Sequence, residues 1–373
     1  MKLLRSLVLG ALGLVLPLAA HADTIKIGLM CPLTGSWASE GQDMKQIVSL
    51  LADEVNAAGG INGRQLELVV EDDGGDPRTA ALAAQKLAIA GVSAVIGTYG
   101  SAVTEAAQSI LDESEILHIA TGATSVRLTE KGMEYFFRTS PRDDEQGRVA
   151  AQYIKNLGYG KIAIVHDNSS YSKGLAEETR AVLEEEGVQV VFFDALTPKE
   201  RDYSPILTRL RAAEPDLFFY PGYYPEAGLL LRQKKEMGWN VPMMGGDAAN
   251  NTDLVKIAGK DAAKGYFFIS PPSAHDFDTP EAKDFFSRYK AQYNSLPSSV
   301  WSVLAGDAFK VIVAALQAGT DANPEAVAKY LKKDLKEYPG LTGKLGFNEK
   351  GDRIGDLYKV YEVDGNGGFV LQK

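Results

Sequence analysis

The sequence predicts an α/β protein built as two doubly wound lobes with a ligand cleft between them. Three observations predict it. Short apolar runs alternate with stretches of helical periodicity from Thr24 to Met244. The alternation restarts after a polar, proline-containing break at Arg138-Thr139-Ser140-Pro141. Small polar and aromatic residues gather where the strand-like runs end. Alternating strands and helices give parallel sheets covered by helices on both faces, and two such runs give two lobes.

In chain order, the first segment is a signal peptide. Lys2 and Arg5 form a positive start, Ser6–Ala19 is apolar, and Ala20-His21-Ala22 suits cleavage before Asp23. The apolar stretch is short for a membrane span, which needs about 20 residues, and no later segment reads as a span. With no cysteine at the cleavage site, a lipid anchor is not expected. Thr24–Met30 then reads as a buried strand. The polar loop Thr34-Gly35-Ser36-Trp37 follows, and next a helix with Met44, Ile47, Val48, Leu51 and Val55 on one face. Asn56–Gly63 carries stop and turn signals. Gln65–Glu71 is a strand, and Asp76-Pro77 reads as a cap and first-turn proline opening a helix to about Ala90. Val92–Ile96, Ser101–Glu113 and Ile116–Ala120 read as strand, helix and strand.

The second run reads Glu145–Asn156 helix, Lys161–His166 strand, Lys173–Glu186 helix, Val188–Phe193 strand, Tyr203–Ala213 helix and Asp216–Tyr220 strand. Glu226–Met237 is a helix, Val241–Met244 a strand and Asn250–Ile257 a helix. Ser270-Pro271-Pro272-Ser273 ends that run. Three helical patterns follow, Pro280–Tyr293, Ser299–Ala318 and Pro324–Leu331, then strand-like Gly343–Phe347 and Leu357–Val363.

Composition narrows the function. The 373 residues are 45% hydrophobic and 24% charged, with 49 acidic against 39 basic groups and a formal charge of −10. Such a length suits two or three domains. The acidic balance argues against general nucleic-acid binding. Loss of the signal would leave 37 basic residues and a charge of −12. The single Cys31 precludes an internal disulfide and reads as a buried thiol.

Enzyme signatures are missing from the sequence. No G-x-G-x-x-G follows a strand, and there is no phosphate loop, no G-x-S-x-G and no His/Cys zinc pattern. No metal or cofactor is expected. His118 lies in an apolar strand and reads as structural. His166-Asp167 reads either as a base with an orienting acid or as a cleft-wall pair.

Ligands of open α/β sheets bind beyond the carboxyl ends of the strands. Six such ends carry Ser36 and Trp37, Thr98, Tyr99 and Ser101, Thr121 and Thr124, Tyr171, Tyr223 and Tyr224, and Asp247. Facing lobes would join all six. Ser101 opens a helix, where free N–H groups favour a carboxylate; its alternative role is a helix cap. Gly122-Ala123-Thr124 offers more backbone and hydroxyl groups. Asp247 is an anion at a strand exit that would take an ammonium group, flanked by Tyr171 and Tyr223; its alternative is a turn or cap. A carboxylate seat facing an ammonium seat fits a zwitterion.

These residues resemble the periplasmic substrate-binding proteins of branched-chain amino-acid ABC transporters, the leucine/isoleucine/valine-binding type. The likeness runs through Ile27–Gly41, Ala57-Ala58-Gly59-Gly60-Ile61-Asn62-Gly63-Arg64, Glu71-Asp72-Asp73, Val95-Ile96-Gly97, Arg138-Thr139, Ile162–Asp167 with Tyr171 and Gly174, and Tyr223-Tyr224-Pro225-Glu226. It spans nearly the whole mature chain. The resemblance implies two Rossmann-like lobes joined by a three-strand hinge that close on the ligand. It implies residues 23–141 and 272–350 in a first lobe, and 142–271 and 351–373 in a second. It implies carboxylate contacts from Ser101, backbone near Gly122, Thr124 and Tyr171, and ammonium contacts from Thr124, Tyr223 and Asp247, where relatives carry Glu.

Two departures follow. Relatives with a disulfide near the cleft have Cys where this chain has Gly75 and Gly100, so that staple is missing and Gly100 should leave space beside the ligand. Glu40 stands where relatives often place an aromatic residue. If it faces the cleft, a polar or cationic ligand tail is expected, because a buried unpaired carboxylate is costly; otherwise it is a solvated loop residue. Tyr99, Trp37 and Trp301 are expected along the cleft wall, with Trp301 alternatively in lobe core. The implied function is a monomeric, non-enzymatic periplasmic receptor that delivers an amino acid, branched-chain or neutral by default, to a membrane permease with ATPase subunits. A γ-amino acid or amide ligand, an exported hydrolase using His166 and Asp167, and a sensor module are the alternatives.

Overall fold

The computed structural model describes residues 24–372, so the proposed signal peptide lies outside the described residues. Five strands, β1 (Ile25–Cys31), β2 (Leu66–Asp72), β3 (Ala94–Ile96), β4 (Leu117–Ala120) and β5 (Phe136–Arg138), form one parallel sheet in the order β2-β1-β3-β4-β5. Helices α1 (Ala38–Ala57), α2 (Pro77–Ala90), α3 (Ser101–Glu113) and the short α4 (Arg127–Glu130) connect them. Helix α2 starts as its sequence dictates: the Asp76 carboxylate accepts the N–H groups of Arg78 and Thr79 at 3.0 Å, Pro77 follows, and Gly91 closes the helix at φ 71°.

The chain then builds α5 (Asp143–Asn156), β6 (Lys161–His166), α6 (Ser170–Glu185), β7 (Gln189–Ala195), α7 (Ser204–Ala212), β8 (Leu217–Tyr220), α8 (Tyr224–Glu236) and β9 (Met243–Gly245). After α9 (Asp253–Ala258) and α10 (Lys260–Ala263) comes β10 (Phe267–Ser270). Helices α11 (Pro280–Tyr293), α12 (Val300–Gln317) and α13 (Pro324–Lys329) precede a small ribbon, β11 (Tyr338–Gly340) and β12 (Gly343–Leu345). Strands β13 (Lys359–Val363) and β14 (Phe369–Leu371) complete the second sheet, ordered β14-β13-β10-β9-β8-β6-β7. Its last two strands run antiparallel, an edge the alternation did not foretell.

Each sheet is buried on both faces. In the first lobe, Ile27 and Leu29 pack with Ile47 and Val48 of α1 and Phe309 and Ile312 of α12, while Met30 and Val95 pack with Leu87 and Leu111 on the other face. Helix α12 is, by length and composition, apolar enough to cross a membrane, contrary to the reading of the sequence; here it is a core helix, mostly buried. In the second lobe, Phe218 and Phe268 meet Leu230 and Leu254 on one face, and Ile164 and Phe219 meet Ile154 and Leu175 on the other.

Several expectations need correction. Strands β5 and β10 run into the polar, proline-containing stretches at Arg138 and Ser270, which read as breaks, and β11 and β14 are three residues each beside glycines. Helix α5 begins at Asp143, not Glu145. The helix expected over Asn250–Ile257 starts only at Asp253, as α9, and a separate 3-10 turn, Asp247–Ala249, precedes it.

The chain leaves the first sheet after β5 for the second, returns after β10 with α11 and α12 to the first sheet's core, and rejoins the second sheet at β13. Two of these passages are tied by charge. Buried Arg138 pairs with Asp352 at 2.6 Å, and the other Asp352 oxygen accepts from Arg142 at 3.0 Å. Arg353 donates to the Thr342 hydroxyl at 2.6 Å. A buried ion pair needs this many partners to offset its desolvation.

Candidate functional site

All six strand-end clusters converge at the lobe interface. Trp37 from the β1–α1 loop lies 5.3 Å from the Tyr99 ring and 4.2 Å from Tyr223, the residue that caps α8. Tyr223 lies 5.8 Å from Tyr99 and 5.2 Å from Tyr171, which sits in the first turn of α6. Trp301, in the first turn of α12, lies 6.1 Å from Tyr99. It therefore belongs to the cleft wall and to the continuous core behind it. The lobes touch directly: the Tyr224 hydroxyl donates to the Ser36 carbonyl at 2.8 Å and lies 3.1 Å from the Ser39 hydroxyl.

One end of this interface is a cradle of hydroxyl and amide groups. Gly100, not Ser101, caps α3, and it has no side chain to satisfy the helix N–H groups. The Ser101 hydroxyl instead accepts the Ser125 N–H at 3.2 Å, which removes its expected alternative as a cap. The buried Thr124 hydroxyl has no hydrogen-bond partner in the protein. Gly122 lies under Tyr99: a Cβ there would meet the ring at 2.6 Å.

Two buried acids adjoin this cradle, Asp143 through its N–H to the Thr124 carbonyl at 3.0 Å. Asp247 opens the 3-10 turn and accepts the Tyr358 hydroxyl at 3.1 Å; its N–H donates to Gln146 at 3.0 Å, and Gln146 donates to Tyr358 at 2.9 Å. The Tyr171 hydroxyl accepts the Ala248 N–H at 3.3 Å. Asp247 is not a cap, since its carboxylate is turned to these side chains. Asp143, fully buried at the start of α5, has no partner on either oxygen. Thr124 neighbours it without completing a hydrogen bond. Burial first, and then Asp247, push the Asp143 carboxyl well up; burial likewise raises Asp247, against its hydrogen bonds from Tyr171 and Tyr358. Two buried carboxyls this close resist ionising together until a cation arrives.

Sequence reasoning missed Asp143, Gln146 and Tyr358. Asp143 and Gln146 are three apart at a helix start and so share a face, a signal lost when the helix was begun too late. Tyr358 comes from the chain's return to the second lobe, which no local pattern encodes.

Glu40 is neither a loop residue nor an unpaired cleft anion. It lies in the first turn of α1, fully buried. One oxygen accepts the Asn251 amide at 2.7 Å and the other accepts the Ser299 hydroxyl. Burial raises its carboxyl to about 8 despite both bonds, with Asp43 and Asp253 adding to the rise. The case for a cationic ligand tail at this position therefore lapses.

The space expected beside Gly100 is filled by Trp37. A Cβ at Gly75 would lie 2.6 Å from the indole and one at Gly100 2.9 Å, so the two glycines admit the ring. Beyond Trp37 and Tyr223 lies a cavity of about 290 Å³ at the cleft mouth, lined by Gly75, Asp167, Ser169, Lys199 and Glu226 among others. His166 and Asp167 serve the local turn. The His166 Nδ1 accepts the Asn168 N–H at 3.1 Å and Asp167 accepts the Ser169 N–H at 2.8 Å. Burial holds the His166 imidazole below its usual range. His118 is structural, buried with Nε2 2.6 Å from the Gly97 carbonyl, and Cys31 is a free buried thiol.

Known proteins share this architecture. A leucine-, isoleucine-, valine-, threonine- and alanine-binding protein of Pseudomonas aeruginosa is 37% identical over 343 residues, covering 91% of this chain and 90% of its own. A Leu/Ile/Val/Thr-binding protein of Salmonella typhimurium is 35% identical, with 97% and 98% covered. The crystal structure of the branched-chain amino acid transporter substrate-binding protein LivJ from Streptococcus pneumoniae, in complex with isoleucine, superposes with a TM-score of 0.84 at 31% identity, covering 94% of this chain and all of that one. Residues 24–368 match the sequence profile described as periplasmic binding protein. With two α/β lobes closed on a buried polar interface and likeness along almost its full length, this chain belongs to the periplasmic binding protein family.

Proposed function

We propose that this chain is the periplasmic receptor of an ABC transporter, binding a free amino acid between its lobes and presenting it to a membrane permease with ATPase subunits. One observation carries the reading: the hydroxyl and amide groups of Ser101, Gly122 and Thr124 and the buried acids Asp143 and Asp247 meet at one lobe interface, with the Asp143 N–H bonded to the Thr124 carbonyl at 3.0 Å. The ligand carboxylate lies against the start of α3 and the Thr124 hydroxyl. The ammonium lies against Asp247, with Asp143 behind it and Tyr171 and Tyr223 alongside. The names of the Pseudomonas and Salmonella relatives support an amino acid as ligand.

The passages near Ser140, Pro271 and Asp352 act as the hinge, dividing the chain at 141, 271 and 350. Binding is charge-assisted hydrogen bonding in a desolvated site and makes or breaks no covalent bond. The apolar start of the chain exports it, and it works as a monomer.

Thermal-shift measurement against the free amino acids tests this. A ligand that binds only the folded protein raises its melting temperature in proportion to log concentration. A set of amino acids that leaves the melting temperature unmoved overturns the reading.

A further inference from the structure

The two ends of the cleft differ in what they leave unpaired. At the acid end, Asp143 awaits a cation. Toward Glu40, two donors are stranded. The Tyr99 hydroxyl and the Trp301 indole N–H are buried and have no hydrogen-bond partner in the protein, although their rings lie 6.1 Å apart in one aromatic cluster. Both belong to the Glu40 side. Trp301 stands two residues after Ser299, which bonds Glu40, and Tyr99 packs at 5.3 Å on Trp37, which precedes the helix that carries Glu40. Glu40 itself is occupied by Asn251 and Ser299. A purely aliphatic side chain placed here would seal two donors in a dry site with nothing to accept them, and a buried unpaired donor loses its bonds to water without replacement.

We infer that the side-chain end of the cleft selects an amino acid whose side chain carries a hydrogen-bond-accepting oxygen, received by Tyr99 and Trp301. This rests on the amino-acid reading above and narrows it to a substrate class. The Trp301 indole can only donate and the Tyr99 hydroxyl can donate or accept, so a group that serves both is an acceptor: a hydroxyl, amide or carboxylate and not an ammonium. The discrimination follows the rule that a site built to hydrogen-bond a group rejects the isostere lacking it more strongly than an apolar pocket rejects a missing methylene.

Calorimetric titration of near-isosteric pairs tests the inference: L-threonine against L-valine, and L-asparagine and L-aspartate against L-leucine. In at least one pair the oxygen-bearing member binds tighter, by roughly ten- to a hundredfold. Tyr99→Phe and Trp301→Phe bring that pair toward parity. Because Trp301→Phe also removes volume, the indole N–H proton of Trp301 is followed by NMR in the unaltered protein; the polar ligand moves it downfield and the aliphatic partner does not. If L-valine and L-leucine bind as tightly as their partners, or only water meets the indole in the loaded protein, the inference falls and the receptor reading stands. If none of the amino acids binds, both fall.

Discussion

Asn251 of the second lobe donates its side-chain amide to Glu40 of the first at 2.7 Å. This bond ties the segment that carries Asp247 to the first turn of α1, so the lobes are latched through a carboxyl that burial holds near 8. Between the ordinary value of 4.5 and about 8 the closed, folded protein binds more protons at Glu40 than the unfolded chain does. Its stability therefore falls as pH rises through that window, and levels off above it. The expected slope is at most about 1.4 kcal/mol per pH unit. Glu40→Gln keeps an acceptor for Asn251 without a titrating group, and melting temperatures from pH 5 to 8 should be flatter for it than for the unaltered protein.

Asp247→Ala should weaken amino-acid binding by about 2–5 kcal/mol, the usual loss when one member of a buried charged pair is truncated. Folding should be spared, because an unliganded buried carboxyl is itself a burden. Calorimetry with the best ligand from the amino-acid screen, beside a urea melt of the empty protein, checks both halves. Unchanged affinity removes Asp247 from the site.

Asp143→Asn separates the two acids. The empty protein should become more stable by about 1–3 kcal/mol, as an unpaired buried acid is neutralised. Asp247, which burial raises, is then the one acid of the pair that must ionise for the ligand, and the higher titration of Asp143 is gone. The pH profile of binding, measured by calorimetry, should shift to lower pH together with a loss of affinity. A profile that does not move means the two carboxyls act independently.

Asp352→Ala leaves Arg138 buried without its partner, a loss of about 3–5 kcal/mol in a chemical melt. Arg138 and its neighbours hold the Asp352 carboxyl below its ordinary value of 3.8. The stabilisation is thus complete at neutral pH and is lost only as pH falls below about 3.8 toward the lowered value. The mutant's deficit should shrink in acid and remain constant from pH 5 upward.

The alternation of strand and helix was legible because each long element carries its own periodicity, as the Met44–Val55 face of α1 and the Asp76-Pro77 start of α2 do. Strands β5 and β10 were not, because each runs straight into a polar, proline-containing stretch that reads as a break. The cleft was legible at Ser101, Thr124, Tyr171, Tyr223 and Asp247, since each follows a strand and strand ends converge in this architecture. Glu40 was readable as unusual but not as paired, because Asn251 and Ser299 reach it from more than two hundred residues away. Tyr358 was hidden for the same reason.

The placement of Trp37 and Trp301 gives the molecule a built-in optical signal. The chain has three tryptophans. The third, Trp239, is stacked on Phe218 at 6.3 Å inside the second lobe. The other two stand at the interface, one seated between Gly75 and Gly100 against Tyr223, the other with its indole N–H unpaired. Opening of the jaws would bring solvent to two emitters and leave the third in the dark interior. Intrinsic emission, with no attached dye, should then follow opening and loading in real time.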